Sequence, residues 1–83
     1  MEVFTLIDLF APRFKELIKE SNIKYEILAK DLGFDSKGTI AKYANGQFKD
    51  VGVSLVLKIA NYFGVSPVWL IGLTDNRYYE IKK

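Results

Sequence analysis

At 83 residues, 49% of them apolar and 14% aromatic, the chain has room for one small packed domain and no second core. It contains no cysteine and no histidine, which excludes disulfides, thiolate metal sites and the commonest catalytic bases. The composition therefore argues against an enzyme, and no cofactor or metal is expected. A net charge of +2 and a pI near 8.9 are compatible with a nucleic-acid partner without requiring one.

The first ten residues, MEVFTLIDLF, are apolar but carry acids where a signal peptide would carry lysines. No apolar run approaches membrane-spanning length, so a soluble, cytoplasmic chain is expected. Helical periodicity begins at Pro12, a residue suited to a first helical turn because its missing N–H would be unsatisfied there anyway. Phe14, Leu17 and Ile18 give the i, i+3, i+4 stripe, with Arg13, Lys15, Glu16, Lys19 and Glu20 facing water. A second helix is expected over 25–32, with Ile27, Leu28 and Leu32 apolar and Gly33 as its stop. A third, capped by Asp35 or Ser36, runs to Ala44 and is ended by Asn45-Gly46. The fourth, over 53–63, is apolar around most of its circumference and is expected to be the most buried element. Gly64 stops it. Ser66 then caps a short fifth helix with Pro67 in its first position, and residues 68–71 are expected to pack inward. With no strand pattern and no repeat, these elements predict an all-α, compact five-helix domain.

Helices two and three are joined by a tight glycine-containing connection, the condition for a helix-turn-helix. Close crossing calls for a small residue on the first helix, a residue tolerant of positive φ at the turn and an apolar plug on the second. Ala29, Gly33 and Ile40 fill those roles. Any αα-hairpin can show such a triad, so the surrounding chain has to decide.

The stretch RFKELIKESNIKYEILAKDLGFDSKGTIAKYANG, followed by LVLKIANYFGVSPVWLIGLTD, resembles the phage Cro/repressor type of helix-turn-helix DNA-binding family. The likeness is carried by Leu28-Ala29, Leu32-Gly33, Thr39-Ile40, Tyr43, Asn45-Gly46, Lys58-Ile59-Ala60 and Phe63-Gly64-Val65-Ser66, in the family's order. It implies that the third helix enters the major groove and the second lies across the sugar–phosphate backbone. On this reading 1–11 is an apolar N-terminal extension, 12–75 the DNA-binding domain and 76–83 a tail.

Carried over position by position, the resemblance places Ser36, Lys37, Gly38 and Lys42 where the family reads bases. Thr39 and Asn45 fall where it touches phosphate, and Lys24, Tyr25, Gln47 and Lys49 flank the same surface as further phosphate candidates. The sequence departs from the pattern in four places. Tyr25 replaces the usual Gln at the start of helix two, and Ala44 replaces a common Glu. The turn after Gly33 and the loop after Gly46 are each one residue longer, the latter with Val51 in place of a proline.

The expected function is that of a sequence-specific transcriptional regulator, such as a phage or mobile-element repressor, bound to double-stranded DNA. A palindromic operator would be read by a weak homodimer, with contacts sought in residues 3–10 and in the segment of Trp69, Tyr78, Tyr79 and Ile81. The competing reading, favoured by the longer turn and the missing Gln, is a protein-interaction module, antitoxin-like or otherwise degenerate, with reduced DNA binding.

Overall fold

A computed structural model describes residues 6–48 and 51–78. Its five helices are α1 (Leu6–Ser21), α2 (Tyr25–Leu32), α3 (Lys37–Ala44), α4 (Val53–Phe63) and α5 (Pro67–Leu70), and the described residues contain no strand. The fold is the all-α, five-helix arrangement that the sequence pattern predicts, with α2–turn–α3 at its centre.

Helix α1 begins at Leu6, six residues before Pro12. The apolar stripe of Phe14, Leu17 and Ile18 extends backwards through Phe10, Ala11 and Ile7, all buried. Proline inside a helix costs about 3 kcal/mol. Burying Ile7 and Phe10 returns roughly 1.5–3 kcal/mol each, so core packing wins over the local helix-start signal. Residues 6–11 are thus the opening turns of α1, and Ile7 and Phe10 belong to the protein's own core.

The limits of α2, α4 and α5 follow local chemistry. Gly33 adopts φ +82°, and the Phe34 N–H donates to the Ala29 carbonyl at 2.8 Å, closing α2 in a left-handed cap. Gly64 ends α4 in the same way. At α5 the Ser66 hydroxyl accepts from the Val68 N–H at 3.2 Å, with Pro67 in the first turn.

Two burial expectations fail. Helix α4 buries Val56, Ile59 and Ala60, but Val53 (69% exposed) and Leu57 (52%) form an i, i+4 stripe facing solvent. Six buried residues on α1 make that helix the main wall of the core instead. On α5, Trp69 and Leu70 turn inward while Val68 is 45% exposed, and Ile27 of α2 is likewise exposed. Apolar character around a whole helix does not ensure burial when neighbours cover only one side.

After α5 the chain is irregular and lies back along α1. The Arg13 and Arg77 guanidinium carbons lie 4.8 and 4.7 Å from the Trp69 ring centroid, within cation–π range. Arg13 donates to the Trp69 and Thr74 carbonyls, and Arg77 donates to Glu16 and Glu20 at 2.6 Å. The Ser66 N–H donates to the Arg77 carbonyl at 2.7 Å. Trp69 is a core residue with two arginines against its ring.

Candidate nucleic-acid interface

Helices α2 and α3 form the most extensive helix–helix contact of the fold. The triad sits as the crossing requires: Ala29 is buried on α2, Gly33 supplies the left-handed turn, and Ile40 is fully buried on α3. Four residues, 33–36, separate the two helices. The longer turn is absorbed by packing, because Phe34 lies 5.9 Å from the Tyr43 ring. Phe48, from the longer loop after α3, stacks on Tyr43 at 4.3 Å, and Phe10 of α1 meets it edge-on at 6.4 Å. Each lengthened connection therefore contributes one phenylalanine to a cluster on the inner side of α3.

With Ile40, Tyr43 and Ala44 turned inward, positions 38, 42 and 45 fall on the opposite side of α3, spaced i, i+4, i+7. Gly38, Lys42 and Asn45 are all exposed there, and Lys37 lies exposed in the first turn. A methyl group added at Gly38 would meet only the Ser36 hydroxyl, at an ordinary 3.5 Å. The fold itself does not demand glycine at this position. A bare backbone flanked by lysines is suited to a close approach by a large anion.

The ends of the helices add donors. Ser36 occupies the N-cap of α3 and Lys24 that of α2, and neither side chain bonds the helix it precedes. First-turn N–H groups of both helices are thus left without a side-chain acceptor, beside Lys24 and Lys37, where the positive end of the helix dipole attracts phosphate oxygens. Thr39 is half-buried, its N–H donating to the Ser36 carbonyl at 3.3 Å. Gln47 is exposed, and its N–H donates to the Lys42 carbonyl at 2.9 Å, ending α3. Tyr25, at the start of α2, is half-buried and packs against the core. Lys49 lies outside the described residues.

One cation at this surface escaped the sequence reading. Lys15 of α1, assigned to solvent, donates from Nζ to Asn45 Oδ1 at 3.3 Å. It reaches the end of α3 across a separation of 30 residues, in a cleft that Asp8 also lines. No local pattern announces such a contact.

A small residue, a left-handed glycine and a buried plug at the α2–α3 crossing, with a polar stripe on the outer side of α3, define a helix-turn-helix. The family model described as a helix-turn-helix domain matches residues 11–82, and the chain belongs to that family. Its sequence is 41% identical over 63 residues to HTH-type transcriptional regulator PrtR of Pseudomonas aeruginosa. That match covers 76% of this chain and 23% of the relative, so the chain spans about a quarter of that protein's length. No solved structure matches at a significant level. Among the described residues no helix is long and apolar enough to cross a membrane, and no group of acids could hold a metal.

Proposed function

We propose that this chain is a sequence-specific, double-stranded DNA-binding transcriptional regulator, a repressor of phage or mobile-element type. The observation that carries the reading is the outer stripe of α3, Gly38–Lys42–Asn45, beside uncapped helix starts at Lys24 and Ser36. Helix α3 would lie in the major groove. Ser36, Lys37, Gly38 and Lys42 would face base edges, while Lys24, Thr39, Asn45 and Gln47 would hold phosphates. The likeness to a transcriptional regulator supports the same reading.

The experiment is a titration against duplex DNA across a salt series. Each phosphate neutralised should contribute about −0.9 to the slope of log K against log salt. Absence of binding even at low salt would favour the protein-interaction reading instead.

One helix-turn-helix spans too few base pairs to select a site among a genome of competitors, so the regulator acts as a two-fold dimer on a palindromic operator. With Ile7, Phe10 and Trp69 committed to the core, and residues 3–5, Tyr79 and Ile81 outside the described residues, the apolar surfaces open to the contact include Tyr78, 58% exposed, and the face of α4 and α5. There Val53, Leu57 and Val68 surround a cleft of about 250 Å³ that is completed by Val56, Pro67 and Ile71, and Leu73 is 70% exposed. Four partly exposed aliphatic side chains supply far less than the ~1,200 Å² of a stable interface. The dimer is therefore weak in free solution and forms on DNA.

A further inference from the structure

Helices α2 and α4 both contribute to the common core but share no extended helix–helix face. Two polar contacts nevertheless join them, both at the last turn of α2. Lys58 Nζ donates to the Leu32 carbonyl at 3.1 Å, and the Tyr62 hydroxyl donates to Asp31 Oδ2 at 2.6 Å. Lys58 and Tyr62 are spaced i, i+4, on one side of α4, and they grip consecutive residues of α2. The Leu32 carbonyl belongs to the last turn of α2, where helix carbonyls lack an intrahelical partner and the dipole is negative, so an ammonium group suits it. The Lys58 nitrogen also stands 3.9 Å from where a Cβ on Gly33 would be, beside the residue that turns the chain towards α3. Asp31 holds the Tyr62 hydroxyl above the ordinary phenol range, mainly through their hydrogen bond, with burial and the Asp31 charge adding.

We propose that Lys58 and Tyr62 are positioning residues, a clasp from α4 that fixes the end of α2 and hence the angle at which α3 is presented to DNA. The proposal rests on the DNA-binding reading above. Both side chains are exposed, and exposed polar contacts add little to overall stability. Their placement at the hinge between the two helices gives them leverage over geometry.

The test uses the full chain with variants Lys58→Met, Lys58→Arg and Tyr62→Phe. Two duplexes serve as probes: the best binder selected from a random pool, and a random-sequence duplex. Lys58→Met and Tyr62→Phe should weaken specific binding roughly 2–30-fold, the scale of coupling by residues that touch no ligand. Binding to random duplex and the salt slope should be unchanged, and Lys58→Arg should recover specific binding. Thermal midpoints should move by less than about 8 °C, as for loss of an exposed contact in a domain this small. A salt slope reduced by about 0.9, with equal loss on both duplexes, would make Lys58 a phosphate contact and overturn the clasp. Wild-type affinity ratios in Tyr62→Phe would overturn it as well. Amide hydrogen exchange without DNA separates this failure from failure of the functional reading. Exchange at Gly33 and Phe34 should quicken in Lys58→Met and recover in Lys58→Arg. Unchanged exchange refutes the clasp, whereas a wild-type chain that binds neither duplex refutes the DNA-binding reading.

Discussion

Replacing Ile40 with alanine removes three carbon atoms from a side chain that is completely buried at the α2–α3 crossing. At ~0.8 kcal/mol per buried methylene the transfer loss is about 2.4 kcal/mol. Incomplete collapse of the surrounding core adds a cavity term of ~24 cal/mol per Å³, placing the total within about 2–5 kcal/mol. A domain of 83 residues is stable by about 4–12 kcal/mol, at ~0.05–0.15 kcal/mol per residue. The substitution therefore consumes a large share of the stability and can come close to unfolding the chain. At ~4–8 °C per kcal/mol, the thermal midpoint should fall by about 10 °C or more. Urea and thermal unfolding followed by far-ultraviolet circular dichroism measure this, with an unchanged urea slope certifying that both chains unfold from comparable states. Well below the transition, the salt slope for duplex DNA should match wild type, since no phosphate contact is removed. A midpoint shift under ~4 °C would refute the assignment of Ile40 as the plug of the crossing.

The reverse pattern is expected for the double variant Lys37→Ala/Lys42→Ala. Its stability should stay within about 0.5 kcal/mol per site, while affinity for the selected duplex falls by on the order of 1–3 kcal/mol for each base-reading lysine; unchanged affinity in a folded variant would sink the site assignment. Leu57→Glu places a charge in the apolar α4–α5 cleft and should abolish paired binding on a palindromic duplex while leaving single half-site binding intact, as read by sedimentation. A complex of two subunits per operator in this variant would exclude that face as the contact. Arg77 lowers the Glu20 pKa below the ordinary carboxylate range, first by its hydrogen bond and further by its charge, against a desolvation effect. A depressed carboxylate stabilises the fold above its unfolded pKa, and that contribution disappears as pH falls through the folded value. Arg77→Met should therefore flatten the acid limb of the thermal-midpoint profile, and parallel profiles for the two chains would contradict the ion pair.

Much of this architecture was legible from residues close together in the chain. Gly33 and Gly64 announce left-handed stops, Ser66-Pro67 announces a helix start, and the limits of α2, α4 and α5 follow from them. The crossing triad of Ala29, Gly33 and Ile40 was readable for the same reason, since its spacing reflects the geometry of two adjacent helices. The outward direction of Lys42 followed from the inward pull of Ile40 and Tyr43, which lie on the opposite side of the same helix.

What tertiary structure decided involves partners far apart in sequence or the burial of whole faces. Pro12 signals a helix start, yet Ile7 and Phe10 bury against the core and carry α1 back to Leu6, because packing energy exceeds the cost of one proline. The apolar residues of α4 are similar in kind, yet Val56, Ile59 and Ala60 are covered while Val53 and Leu57 stay open, and no periodicity distinguishes a covered stripe from an open one. Lys15 reaches Asn45, Lys58 reaches the Leu32 carbonyl, and Arg77 bridges to Glu16 and Glu20 across separations of 26 to 61 residues. Helical periodicity reports which side of a helix turns inward. Which neighbour meets that side, and which long polar side chain spans the gap beside it, depends on the relative placement of helices that only the folded chain establishes.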